Sequence, residues 1–224
     1  MLKKISKRKI ILFLSAFIAF VAFVVFTDMV KRDLLSQIDF DSTVKIQGRI
    51  SRNWDLPFSM LSLIGSAEIT GLVWLGLLIF MLLKRYWLVG SSLFLFWIGQ
   101  FIELVGKLFL SHSPPPHLFY RGALDFVFPT TYVRTGNSYP SGHTFRTTFL
   151  VVFLILFLYM RVSASWRIIV QLGLLTFLLL MAVSRVYLGE HWLSDVIGGA
   201  LLGISMSLFS TLFFPSKINK VKRR

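Results

Sequence analysis

Long apolar runs separated by short polar connections dominate the chain. Six runs stand out, at residues 10–29, 56–83, 86–110, 144–160, 166–183 and 193–214. A helix needs about 20 apolar residues to cross the hydrocarbon core of a bilayer, so the pattern predicts a transmembrane helix in each run. The runs are continuous, without the alternation of about ten-residue strands that a transmembrane β-barrel requires. The predicted fold is therefore all-α: a polytopic membrane protein, a bundle of six transmembrane helices. The helices and their connections use nearly the whole chain, and residues 1–224 are expected to form a single integral membrane domain with no soluble appendage. The first run follows the basic start "MLKKISKRK", which raises the alternative of a cleaved signal peptide. Its apolar stretch is long and no small-residue cleavage site closes it before Thr27 and Asp28, so an uncleaved first helix is expected.

Composition agrees with this pattern. Of 224 residues, 55% are hydrophobic, 23 are Phe and only 15% are charged, far from the habit of soluble domains. Cysteine is absent, which excludes disulfides, thiolate metal ligands and cysteine nucleophiles. The formal net charge is +14. In a soluble protein that would suggest nucleic acid; beside these apolar runs it points to topology and to contact with anionic membrane lipids, and no nucleic-acid partner is expected. An even number of spans puts both termini on one side, the side that also receives Lys84, Arg85, Arg161 and Arg167. By the positive-inside rule the termini are cytoplasmic, with the protein in the cell membrane. The connections after the first, third and fifth runs then lie outside.

Residues that can do chemistry gather at that outer boundary. Lys107 lies near the end of the third run, "YPSGHTFR" brings His143 and Arg146 to the start of the fourth, and "SRVYLGEHWLSD" carries Arg185, Glu190, His191 and Asp195 between the fifth and sixth. A charge at a helix end can simply reach the headgroups, which suits Lys107 taken alone. Lys107, His143, Arg185, His191 and Asp195 arriving together point to a site, because ionisable groups within a membrane are costly and usually functional. His191 and Asp195 are four residues apart and would share a face of a helix. There the carboxylate holds one imidazole nitrogen while the other faces outward as nucleophile or base. Ser141 is the expected N-cap of the fourth helix, and the backbone N–H groups exposed at that terminus, around Gly142, attract phosphate. Arg185 and Lys107 add permanent positive charge suited to phosphoryl oxygens. The set describes phosphoryl transfer with no metal and no other cofactor: that side has no carboxylate cluster fit for Mg²⁺, and Arg185 and Lys107 would oppose zinc on His143, His191 and Asp195.

These residues resemble the signature of the type-2 phosphatidic acid phosphatase superfamily, the lipid phosphate phosphatases. Its second part, Pro-Ser-Gly-His, stands complete as Pro140, Ser141, Gly142 and His143, and its third as Ser184, Arg185, His191 and Asp195. The six-span layout matches as well. The first part departs from the pattern: counting from Lys107, the family's arginine falls on Pro114, followed by the expected proline at Pro115. Either the site is weakened, or Arg121, Arg134 or Arg146 supplies the missing charge. Arg146 lies three residues after His143, on one helical face with it; otherwise it is an interfacial arginine reaching the headgroups.

The resemblance implies that His191 attacks phosphorus to form a phosphohistidine, that Asp195 orients it, and that His143 protonates the leaving oxygen and then activates water. It implies that Lys107, Ser141, Gly142 and Arg185, with Arg146 or Arg134, hold the phosphoryl oxygens. The expected activity is hydrolysis of a lipid phosphate or diphosphate at the outer leaflet, with a polyprenyl diphosphate, phosphatidylglycerol phosphate and phosphatidic acid as candidate substrates. The alternatives are a lipid phosphotransferase of the same fold and a catalytically weakened lipid-binding homologue. Plainer readings attach to other residues: Glu68 and Glu103 as buried or neutral groups in the bundle, Glu190 as a local cap or partner, His112 and His117 as solvated or structural residues whose closeness to the site also makes them substrate-contact candidates, and Gly199 with Gly203 as a helix-packing pair.

Overall fold

The computed structural model describes residues 7–124, 136–159 and 164–214. Among them every regular element is helical: α1 Lys7–Lys31, α2 Ser36–Arg49, α3 Asp55–Ile64, α4 Ala67–Leu83, α5 Trp87–Ser92, α6 Leu95–Phe109, α7 Gly142–Tyr159, α8 Ala164–Tyr187 and α9 Leu193–Thr211, with 3₁₀ turns at Arg52–Trp54 and His117–Phe119. The stretches Lys7–Lys31, Trp87–Phe109, Gly142–Tyr159, Trp166–Tyr187 and Leu193–Thr211 are each long and apolar enough to cross a membrane. Arg52–Ile64 and Ala67–Leu83, bent by 45°, are long and apolar enough only when taken together, so the described residues hold five such stretches, or six with the bent pair as one broken span. The chain is a multi-pass membrane protein; five of the six apolar runs of the sequence fall on the unbroken stretches and the run 56–83 on the bent pair.

α7 and α9 are the central helices, each with 61% of its span buried, against 11% for α1 and for α8. Their close approach depends on the glycines of α9. A side chain at Gly199 would run into the carbonyl of Ser141, and one at Gly203 would stand 2.8 Å from the carbonyl of Phe145, so Gly199 and Gly203 act as the packing pair that their spacing suggests. On the other side of α7, Phe145, Phe149, Phe153 and Phe157 recur every fourth residue, so their rings lie one above another. The ring centroids of Phe149 and Phe153 are 6.1 Å apart, those of Phe153 and Phe157 6.5 Å. Phe96, Tyr139, Leu202 and Met206 belong to the same core. α1 packs along α9, and its Thr27 hydroxyl is 2.8 Å from the Tyr139 hydroxyl.

Two features depart from a bundle of straight rods. The second span bends at Gly65, where Ser66 caps α4 by accepting from the Ile69 N–H at 3.3 Å; a methyl group at Gly65 would lie 2.9 Å from Met181 and 3.0 Å from His143. The first connection, read from sequence as polar loop, contains α2. With Asp39, Asp41, Lys45 and Arg49 in fourteen residues it has no apolar run to announce it. It is anchored by burial of Asp39 and Thr43 and by Gln47, whose amide donates to the carbonyls of Phe119 and Tyr187 at 2.7 and 2.8 Å.

Candidate active site

Three chain segments meet where α6 ends, α7 begins and α8 turns into α9. Ser141 caps α7: its carbonyl accepts from the Phe145 N–H at 2.9 Å, and its hydroxyl accepts from the Thr144 hydroxyl at 3.1 Å. The Ser141 N–H in turn donates to the Asp195 carbonyl at 3.0 Å, which ties the start of α7 to the first turn of α9. The turn between α8 and α9 folds back because Gly189 adopts φ 67°, and a side chain there would collide with the carbonyl of Phe119. The Arg185 carbonyl receives the N–H groups of both Glu190 and His191 at 3.2 Å.

His191 does not share a helix with Asp195. It precedes α9, Trp192 is the N-cap, and Asp195 is the third residue of the helix. The predicted contact nevertheless forms, as part of helix capping: Oδ2 of Asp195 is 3.2 Å from Nδ1 of His191 and accepts from the Trp192 N–H at 3.0 Å. Asp195 is wholly buried and His191 8% exposed. The contact engages Nδ1 of His191 and leaves Nε2 outside it. His143, the second residue of α7, lies within electrostatic reach of Arg185, Arg146, His191 and Lys107.

Each cation has an anionic neighbour. Arg185, fully buried, places Nη1 2.6 Å from Oε2 of Glu190 and donates from Nε and Nη2 to the Ser184 hydroxyl at 3.3 and 3.2 Å. Lys107 Nζ stands 2.6 Å from Oε1 of Glu103, one turn earlier on α6. Glu103 is also bonded by the Gln100 amide at 2.5 Å. Arg146 points into the bundle, not toward headgroups: it is 7% exposed, its Nη1 donates to Oε1 of Gln100 at 3.3 Å and its Nη2 to the Gly65 carbonyl at 3.4 Å. Glu103 and Glu68 lie within its electrostatic reach. Gly142 has no side chain where these groups converge; a methyl there would stand 2.6 Å from Glu103 Oε1 and 2.8 Å from Arg146 Nη1.

Of the sequence-nominated residues, Lys107, Ser141, Gly142, His143, Arg146, Arg185, His191 and Asp195 are therefore brought together, while Arg134 lies outside the described residues. Arg121 instead lies over Tyr187, its guanidinium 5.1 Å from the ring centre. Two contacts escaped sequence reasoning. His112, read there as solvated, structural or in contact with substrate, has Nε2 3.4 Å from Oδ1 of Asp195. Asp39 of α2 accepts from the Ser194 N–H at 2.8 Å and the Ser194 hydroxyl at 2.6 Å. Burial raises the Asp39 carboxyl above its usual pKa, an effect that the Ser194 hydrogen bonds oppose. Among the described residues no group of three or more His, Asp and Glu side chains could hold a metal ion.

A family model described as "PAP2 superfamily" matches residues 85–219, more than half of the chain. The chain is 37% identical over 89 residues to dolichyldiphosphatase 1 of Mus musculus, covering 36% of this chain and 37% of that protein. It is 34% identical over 143 residues to undecaprenyl-diphosphatase of Sulfolobus acidocaldarius, covering 62% of each. The chain thus spans less than two thirds of the length of these relatives. Its fold is similar to that of a PAP2-type phosphatidylglycerolphosphate phosphatase from Bacillus subtilis, with TM-score 0.70 and 17% identity over 88% of this chain and 94% of the other. Aquifex aeolicus LpxE gives TM-score 0.56 and 23% identity over 77% and 94%.

Proposed function

Because the chain belongs to the PAP2 superfamily, we propose that it hydrolyses a lipid phosphate or diphosphate through a phosphohistidine on His191. One observation carries the reading: Asp195 engages Nδ1 of His191 at 3.2 Å, which fixes the ring and leaves the lone pair of Nε2 for phosphorus. In the first step Nε2 bonds to phosphorus, the P–O bond to the leaving group breaks, and His143 gives that oxygen a proton. In the second, His143 takes a proton from water, the oxygen attacks phosphorus, and the N–P bond breaks to release inorganic phosphate. Lys107, Arg185 and the N–H groups at the start of α7, with Ser141 and Gly142, hold the phosphoryl oxygens and offset charge that grows in the transition state.

Arg146 takes the part of the arginine absent at Pro114. Its interior placement beside Gly142 supports this, as does its Nε, which is buried and has no hydrogen-bond partner among the described residues. The site lies at the outer face with the termini cytoplasmic. Supporting this, Arg167 stands at the opposite end of α8 from Arg185, and Lys84 and Arg85 follow the end of α4 remote from Gly65. The lipid reaches the site with its headgroup at the boundary and its tail among the helices. The names of the two relatives make a polyprenyl diphosphate the first substrate to try.

The test is a panel of polyprenyl diphosphates, phosphatidylglycerol phosphate and phosphatidic acid offered to purified protein in detergent, with EDTA present, reading released phosphate. Release with at least one lipid is expected. No release from any, or release that requires added Mg²⁺ or Zn²⁺, overturns the proposal.

A further inference from the structure

The family signature accounts for one oxygen of Asp195. Oδ2 takes the His191 ring and the Trp192 N–H; Oδ1 is buried and receives no hydrogen bond among the described residues. A buried carboxylate oxygen left without a donor is costly, and Nε2 of His112 faces it at 3.4 Å. We propose that His112 is a positioning residue, whose Nε2–H holds Oδ1 of Asp195 so that Oδ2 stays committed to His191. The inference rests on the role given above to the His191–Asp195 pair.

The hydrogen-bond accounting at Ser194 supplies the tautomer. The Ser194 hydroxyl donates its hydrogen to Oδ2 of Asp39 at 2.6 Å, so toward His112, 3.4 Å away, it offers a lone pair. Nε2 of His112 therefore faces two acceptors, Ser194 Oγ and Asp195 Oδ1, and carries a hydrogen. Asp39 secures the arrangement from α2, since it also binds the Ser194 N–H one residue before Asp195. The groups around the imidazole are Asp195 and Ser194 of α9, Asp39 of α2, the Tyr139 ring at 6.2 Å edge to face, and a polar cavity of about 280 Å³ bordered by Asp33, Ser111, Ser113 and Trp192. His112 also lines that cavity.

The loop is held at His112 by its backbone, whose carbonyl accepts from the Ser138 N–H at 2.8 Å and hydroxyl at 3.1 Å. Among the described residues the polar partners of the side chain are Ser194 and Asp195, not Lys107 or Arg185, so its loss should act on the chemical step and not on substrate capture. His112→Leu should lower kcat by about 10- to 100-fold, the scale for partners one step removed from reacting atoms, with KM within about two-fold of wild type. His112→Gln, whose amide N–H reaches the place of Nε2, should recover most of kcat. Wild-type kcat in His112→Leu, a matching rise in KM, or a folded His112→Gln as slow as His112→Leu would each overturn the proposal. A second measurement needs no turnover. In protein labelled with ¹⁵N-histidine, His112 should show a proton on Nε2 whose resonance moves in Asp195→Asn. If wild type hydrolyses no lipid phosphate, the hydrolase reading falls, and this spectrum alone judges the contact: an Nε2–H sensitive to Asp195→Asn upholds it, and a proton on Nδ1 alone refutes it.

Discussion

Glu103 and Lys107 face each other one helical turn apart on α6, with Oε1 2.6 Å from Nζ. The lysine of the first motif is therefore not a bare charge waiting for substrate. Glu103 is 3% exposed and lies within electrostatic reach of Arg146 too, so one carboxylate offsets two cations beside Gly142. Removing one member of a buried charge cluster leaves the others uncompensated, which typically costs about 3–5 kcal/mol.

Glu103→Gln should accordingly melt at lower temperature than wild type in detergent. An added anion can then do what the carboxylate did. Inorganic phosphate should raise the melting temperature of Glu103→Gln more than that of wild type, and should inhibit the variant at lower concentration. Equal phosphate shifts in the two proteins would mean that Glu103 does not share the phosphate-binding charges.

The nucleophile has a direct readout. His191→Ala keeps the Trp192 N–H bond to Asp195 and should insert and purify as wild type does, yet release no phosphate above background. Brief incubation of wild type with ³²P-labelled substrate followed by denaturation should trap an acid-labile, base-stable phosphoenzyme, absent from His191→Ala. A variant that retains turnover would transfer the nucleophilic role elsewhere.

Asp39 makes a prediction about pH and stability. Its folded-state pKa is raised above 3.8, with burial as the leading cause. Between the two values the folded protein binds more protons than the unfolded chain, so stability falls with rising pH. The contribution is fully present below 3.8 and is lost as pH passes the folded value. Asp39→Asn keeps an acceptor for Ser194 and cannot titrate. The difference in melting temperature, wild type minus variant, should therefore decrease as pH is raised from about 3.5 toward neutrality. A difference that grows over the same range would mean that Ser194 stabilises the carboxylate more than burial penalises it.

The spans were legible because hydrocarbon thickness imposes one length on every crossing helix, and the site because its motifs stand where those spans end. The contact of His191 with Asp195 was foreseen although its local geometry was not: spacing of four suits a helix face, but it also suits a residue just before the N-cap reaching the third helical residue. Asp39 and Ser194 are 155 positions apart, and no periodicity within α2 records a partner on α9. His112 lies in a loop whose path depends on Ser138 bonding back to it, so its approach to Asp195 exists only in three dimensions. Arg146 was conspicuous as a charge inside an apolar run, but its inward direction is set by Gln100 on α6 and Gly65 at the bend of the second span.

That direction bears on the arginine missing at Pro114. A donor to a phosphoryl oxygen in a site closed to water is worth about 2.7–4 kcal/mol in the transition state, or about 10²- to 10³-fold in rate. If Arg146 supplies it, Arg146→Ala should lose kcat/KM by that factor. Arg146→Lys should recover only part, because an ammonium preserves charge without the two-pronged geometry. The distinction from a purely structural ion pair lies in phosphate binding. If Arg146 serves the phosphate, inorganic phosphate should inhibit Arg146→Lys only at higher concentration than wild type and should raise the melting temperature of Arg146→Ala less than that of wild type. Were Arg146 only a counter-ion for Glu103 and Glu68, phosphate would shift the melting temperature of the variant as much as that of wild type, and the missing function would fall to Lys107 and Arg185 without a third cation.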